Sequence, residues 1–209
     1  VKVFFNMAFD VGPSFILMEN VLGIKGVRGK SLVNYVKEKC KKYNYFFHTG
    51  ELNAADFGAP QIRKRFFIVA EKIHGEKSHF TFPVAKYDKL NYKTVYDAIG
   101  DLPSPPIDGS EHPSVPNHRC DVLSNQNKER FKHVPQDGGR DDIPFNLRLK
   151  CHKISTEKIG YRYVFGRLSW KKPSGVITAR FDSLTRGRFG HPKEIRSISL
   201  REGARLQTF

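Results

Sequence analysis

The chain has 209 residues, 39% hydrophobic and 12% aromatic, and 36 Lys and Arg against 21 Asp and Glu give it a net charge of +15. That supplies one hydrophobic core with a small second lobe and is too aromatic for a disordered chain. It has no apolar run of the roughly 18 residues a membrane span needs, and three cysteines (Cys40, Cys120, Cys151) make no disulfide framework and fit a reducing, intracellular compartment.

The start, Val1-Lys2-Val3-Phe4-Phe5, has neither an initiator Met nor a signal-peptide layout, and the end stops inside an expected helix. Both ends read as those of a piece of a longer protein. Residues 13–21, "PSFILMENV", form a continuous apolar run after a proline and are expected to be a buried parallel strand ending in Glu19-Asn20. A carboxylate at the C-terminal end of such a strand is where α/β proteins build sites. Residues 29–44 carry Leu32, Val33, Val36, Cys40 and Tyr43 at helical spacing, which predicts an amphipathic helix with Ser31 as its N-cap and Cys40 as a packed thiol. A strand, a loop and a second strand ("RFFIVAEK") follow, close enough together to pair as a hairpin.

In the loop, "GAPQIRKRFF" sets Gln61, Arg63 and Arg65 on alternate positions. In extended backbone, alternate side chains share a face, so the three are expected to form a row of donors held by the apolar strand behind them. From Lys72 onward, frequent prolines break the periodicity, and residues 72–163 read as a second, irregular lobe with one short helix over 94–103. Order resumes with "GVITARF" (175–181) as an expected strand, and 198–209 as a helix start with Ser199 and Glu202 at capping-box spacing.

The charge is uneven: 11 basic and 5 acidic residues over 1–70 (+6), 15 and 13 over 71–163 (+2), 10 and 3 over 164–209 (+7). Such an excess favours a polyanionic partner, nucleic acid first, although charge alone leaves ribosomal, DNA-binding and membrane-surface roles open.

Three separated stretches agree on one answer. "ILMENV", "LNAADFGAPQIRKRFFIVAEK" and "GRLSWKKPSGVITARF…GRFGHPKEIRSISLREGARLQTF" resemble, in that order, motifs of the cytosine-C5 DNA methyltransferases. The resemblance implies an α/β fold: the later part of a Rossmann-like methyltransferase sheet with an antiparallel final hairpin, plus a smaller target-recognition lobe. It divides the chain into a partial catalytic domain (1–71), a recognition domain (72–163) and a return to the catalytic domain (164–209). It implies methyl transfer from S-adenosyl-L-methionine to C5 of a cytosine flipped out of double-stranded DNA. A Cys thiolate attacks C6 and pushes charge onto N3 and O2, which must be stabilised there. Glu19 would engage N3 and the exocyclic amine, donating a proton from a closed pocket. Arg65 would hold O2 and Arg63 would steady the site and nearby phosphates, with Asn20 and Gln61 in support.

The departures matter equally. The family nucleophile follows a Pro, and no Cys here does; the Gly-rich loop of the cofactor site is also missing. The pocket for S-adenosyl-L-methionine is therefore expected to lie mostly outside this chain, and the chain alone to be inactive. A missing N-terminal half or a complementing subunit would supply the rest of an enzyme monomeric when complete. Non-catalytic DNA binding is an alternative. Gly203 stands where the family usually has Ala, at a helix cost of about 1 kcal/mol. Arg119, Lys128, Arg130, Arg140, Arg148 and Arg180 are the candidate DNA contacts. The resemblance also implies a cytoplasmic, nucleoid-associated protein of prokaryotic or viral type, with restriction-modification among the shared roles.

Two rivals are weaker. An amino-methyltransferase needs an aromatic after its Pro-Pro, but "SPPI" (104–107) offers Ile107, and a Pro-rich turn explains it better. His118, Cys120, Cys151 and His152 could supply four zinc ligands, but their spacing matches no common finger, so no metal is expected.

Overall fold

A computed structural model describes residues 1–153 and 163–209. The end of the expected recognition lobe, 154–162, lies outside the described residues. The chain resolves into two compact units: residues 1–53 with 63–86, and residues 54–62 with 87–209.

The first unit is a helix-backed sheet. Helix α1 (Lys2–Val11) was not expected from the sequence; it buries Phe5 and Phe9 one turn apart and ends at Gly12, whose φ of 69° suits a residue without Cβ. Strand β1 (Phe15–Asn20) leads through a 3-10 turn to helix α2 (Val27–Lys42). Strands β2 (Tyr45–Asn53) and β3 (Lys64–Lys72) follow. The sheet order is β1-β3-β2, with β3 antiparallel to both neighbours.

The expected hairpin is therefore present, but the expectation for β1 is corrected. It pairs antiparallel, and only Ile16 and Met18 are buried, while Phe15 and Leu17 on the other face are exposed. A continuous apolar run had suggested burial on both faces; here it is packed on one. Ser31 is likewise not the N-cap. The α2 cap is Gly26, whose carbonyl accepts from the Gly29 and Lys30 amides, so the helix starts a turn earlier. The core joins Phe5, Phe9, Ile16, Met18, Val36, Cys40, Tyr45, Phe66, Ile68 and Ala70. Burial pushes the Cys40 thiol up to about 11, so it packs rather than reacts.

Residues 78–82 cross the sheet and are held by Glu71. Its carboxylate accepts from the Ser78 hydroxyl and from the His79 and Phe80 amides at 3.0 and 3.2 Å. Phe82 lies against Gly50, where a Cβ would come within 2.8 Å of the ring. The Ser78 hydroxyl, then the two amides, hold the Glu71 carboxyl below its ordinary value of 4.5. A depressed carboxyl stabilises the fold above its unfolded pKa and loses that contribution as pH falls through the folded value. The His79 and Phe80 amide shifts in NMR should accordingly titrate together at a pH below 4.5. Invariant shifts through that range would show that the carboxylate does not hold the crossing.

The second unit is built from turns and short helices: α3 (Val95–Ile99), α4 (Asn125–Lys132) and α5 (Leu200–Arg205). One apolar cluster joins Val95, Ile99, Leu168, Ile177, Phe189, Ile198 and Leu206; another joins Phe131, Val134, Ile143, Val164, Phe165 and Leu184. The strand expected over 175–181 does not form. Ser174 makes one isolated bridge with Gln61, and the chain then turns, with Arg180 at φ 63°. A strand exists only through a hydrogen-bonded neighbour, and the pairing stops at Ser174.

Ser199 does cap α5. Its hydroxyl accepts from the Glu202 amide at 3.0 Å, and its own amide donates to the Glu202 carboxylate at 2.6 Å. Gly203 is not the weakness that helix propensity implied. A Cβ there would stand 2.4 Å from the Phe181 ring, so the helix gives up propensity to let the ring pack. Gly203→Ala should therefore lower stability by about 1–2 kcal/mol in denaturant melts instead of raising it, and adding Phe181→Leu should recover the loss. A stabilised single variant would refute this packing account.

Candidate active site

Glu19 sits at the C-terminal end of β1 opposite Phe67, and Arg65 is two residues before Phe67 on β3. That diagonal lies on one face of an antiparallel pair and within reach of long side chains. Arg65 Nε lies 2.7 Å from Glu19 Oε1, and Arg63 Nη2 lies 3.9 Å from the same oxygen. Phe66, Ile68 and Ala70 anchor β3 from the buried side, and Asn53 Oδ1 accepts the Arg63 amide at 3.0 Å, fixing the entry to the strand. Asn20 accepts the Val21 amide at 2.8 Å and shapes the turn beyond Glu19.

The expected row of donors is only partly realised. Arg63 and Arg65 converge on Glu19, but Gln61 precedes the strand and is 2% exposed, its carboxamide donating to the Leu206 carbonyl at 3.4 Å in the second unit. Nor is Glu19 enclosed. Its side chain is 43% exposed, with Arg63 at 37% and Arg65 at 15%. Pairs this open contribute about 0–1 kcal/mol to stability. Stability therefore does not explain two guanidiniums on one carboxylate at a strand end. Together they present an acceptor and several donors, enough to grip the polar edge of a planar heterocycle.

The candidate DNA contacts separate by their surroundings. Arg119 and Arg180 are exposed, and Lys128 lines a cleft of about 740 Å³ with Pro105, Pro106 and Ile107. Arg130 and Arg148 instead hold backbone: Arg130 Nε donates to the Leu147 carbonyl at 2.7 Å, and Arg148 Nε to the Ile143 carbonyl at 2.7 Å. Arg140 differs from the other candidates in being 1% exposed, so no DNA phosphate reaches it in this conformation. Arg186 and Arg188 are two further basic residues that no local motif singled out. They line a cleft of about 620 Å³ with Tyr163, Asp137, Ser174 and Thr178, and Arg188 lies 3.3 Å from Asp137 and 5.5 Å from the Tyr163 ring centre. Their signal was the +7 charge of the last 46 residues, read as a block and not residue by residue.

The four possible zinc ligands are not assembled. His118 spends both ring nitrogens, on the Ser199 hydroxyl at 2.8 Å and the Pro103 carbonyl at 2.6 Å. Burial pushes the Cys120 thiol up to about 12, and no group of three His, Cys, Asp or Glu among the described residues could hold a metal. No helix among them is long and apolar enough to cross a membrane.

Residues 4–209 match the profile of the family described as C-5 cytosine-specific DNA methylase. The Type II methylase M.HgiDII of Herpetosiphon aurantiacus is 31% identical over 206 residues, covering 99% of this chain and 56% of that protein. The Type II methyltransferase M1.HphI of Haemophilus parahaemolyticus is 31% identical over 208 residues, covering 100% of this chain and 50% of that protein. A crystal structure described as that of a putative DNA modification methyltransferase encoded within a prophage (E. coli) shares the fold at a TM-score of 0.58 and 23% identity, over 99% of this chain and 62% of that one. The chain thus spans about half the length of the curated relatives it matches.

Proposed function

Since the chain belongs to the C-5 cytosine-specific DNA methylase family, we propose that it supplies the base-gripping half of a DNA cytosine-C5 methyltransferase. The observation that carries this is the meeting of Arg65 and Arg63 at one oxygen of Glu19, at 2.7 and 3.9 Å. When a flipped cytosine arrives, the Glu19 carboxyl meets N3 and the exocyclic amine, and the Arg65 guanidinium meets O2. Attack by a thiolate at C6 drives electron density toward N3 and O2, where a proton held by Glu19 and the charge of Arg65 stabilise it. Arg63, more exposed, keeps Arg65 and Glu19 in register and lies close to the path of the backbone. Double-stranded DNA is the substrate and polyanionic partner, in keeping with the +15 charge.

The methyl donor of the family, S-adenosyl-L-methionine, does not fit the residues of this chain. Its ribose calls for a carboxylate at a strand end. Here Glu19 and Glu51, at the ends of β1 and β2, are tied to Arg65 and Lys25. The donor pocket and the nucleophile, which no Cys following a Pro provides here, then belong to the other half of the relatives' length, whether on the same polypeptide or a second subunit. The role extends to modification within a restriction-modification pair in a prokaryotic or viral setting. The test is methyl transfer from labelled S-adenosyl-L-methionine to duplex DNA. The chain alone should give no turnover, and adding the segment with the Pro-Cys motif, fused or in trans, should restore it. Turnover by the chain alone would overturn the division of labour, and silence with the added half would overturn the function.

A further inference from the structure

Among the described residues, the second unit buries Arg140 and Arg167 and leaves the Arg196 side chain only 11% exposed, and the last two are saturated. Arg167 donates to the carbonyls of Val134, Phe131, His191 and Glu194 at 2.6–3.0 Å, and Arg196 meets both oxygens of Glu202 at 2.7 and 2.8 Å. Arg140 is different. It is 1% exposed, and none of its three guanidinium nitrogens has a hydrogen-bond partner. One carboxylate oxygen, Asp141 Oδ1, stands 3.7 Å from Nε, beyond hydrogen-bond reach, on a side chain 56% exposed. A guanidinium cannot shed its proton, so it stays charged in this interior, with Asp141 as a loose ion-pair partner and its N–H donors without acceptors, a costly arrangement for a core.

A second group makes the same demand. His152 is 9% exposed, with its Nδ1 unpartnered and its ring edge-on to Phe165 at 5.8 Å. Burial first, then the charges of Arg140 and Arg130, push its pKa down, with Asp141 opposing and Arg148 adding to the effect. The protonated imidazolium is therefore disfavoured at His152, beside fixed positive charge. Arg130 and Arg148 are committed to the carbonyls of Leu147, Ile143 and Asp141, which tie the 140–152 loop together. Phe131, Ile143, Val164 and Phe165 supply the apolar surround. Five guanidinium donors and one imidazole nitrogen without partners, in a region of net positive charge, are the donor set for an oxyanion.

We propose that Arg140 and His152 form an inner oxyanion site that takes a phosphate-class anion, either free phosphate or a backbone phosphate of bound DNA. The anion enters when the 140–152 loop opens, and its binding locks that loop. The free-anion arm is independent of the methyltransferase reading, and the DNA arm rests on it.

The experiment uses the full chain in two measurements. The first is thermal melting in chloride against inorganic phosphate at matched ionic strength. Phosphate should raise the wild-type Tm by about 5 °C. Arg140→Met should remove that shift and, having shed a buried charge whose N–H donors have no acceptor, melt no lower than wild type in chloride. If Arg140→Met does not fold, His152→Gln carries the test and should at least halve the shift. The second measurement is duplex affinity against salt. A log–log slope lower by about 1 in Arg140→Met identifies a DNA phosphate as the occupant, and equal slopes with an intact phosphate shift identify the free anion. A phosphate shift kept in both variants, or no shift together with equal slopes, overturns the site. A chain that binds no duplex bears on the DNA reading alone, and the melting arm still decides.

Discussion

Glu19→Gln is expected to slow methyl transfer by about 10²–10⁴-fold, the range set by loss of a positioned proton donor, with duplex affinity nearly unchanged. The substitution keeps the shape of the side chain, and its carbonyl oxygen can still accept from Arg65, whose Nε lies 2.7 Å from Glu19 Oε1. What it removes, on the proposed mechanism, is the ability to hand a proton to N3 as charge gathers there. Because Glu19 is 43% exposed, the fold should lose no more than about 1 kcal/mol, so a rate loss cannot be put down to unfolding. Single-turnover transfer, measured with the Pro-Cys half supplied, separates the chemical step from binding, and gel shifts give the affinity. An unchanged rate would remove Glu19 from the chemistry, and a parallel loss of affinity would make it a binding residue only.

The second large effect concerns stability. Arg196→Met should lower the Tm by about 10 °C. Glu202, 1% exposed, is held by Nη1 and Nη2 of Arg196, whose Nε meets Glu194 at 2.9 Å. Removing one partner of a buried pair costs about 3–5 kcal/mol, because it strands the other charge, and each kcal/mol moves the Tm of a domain this size by about 2–4 °C. Acid should act on the same network. Burial first, then Arg196, pushes His191 down from 6.5 to about 4, so the unfolded chain takes up its proton before the folded one does. Stability contributed there is present above pH 6.5 and falls as pH drops toward 4. Burial pushes the Glu202 carboxyl up, but the Arg196 pair outweighs it and holds it below 4.5, extending the loss to lower pH. Calorimetry across pH 4–7 checks both: a variant melting within about 2 °C of wild type, or a flat wild-type profile, would mean the network carries little of the unit's stability.

Much of the site could be read directly from the residues. Glu19-Asn20 at the end of an apolar run and Arg63-x-Arg65 before another are local patterns, and the structure brings their side chains together. The β2–β3 pairing follows from closeness in sequence, and the α5 cap from Ser199 and Glu202 three residues apart. Other features depend on partners distant in sequence. Nothing around Arg140 in the chain distinguishes it from Arg119, yet one is interior and the other on the surface. The misread strand over 175–181 has the right residue types, and Gly203 looked like a defect until Phe181 was found against it.

The amino-acid sequence by itself determined the family, through motifs of short, fixed spacing, and the resemblance those motifs carry singled out Glu19, Arg63 and Arg65, whose meeting across 44 and 46 residues the tertiary structure supplies. Only the tertiary structure decided that β3 runs between β1 and β2, that Gln61 leaves the row for the Leu206 carbonyl, and which arginines are buried. Strand order, burial and hydrogen-bond partners are set by contacts between residues dozens to more than a hundred positions apart, and no local pattern encodes those.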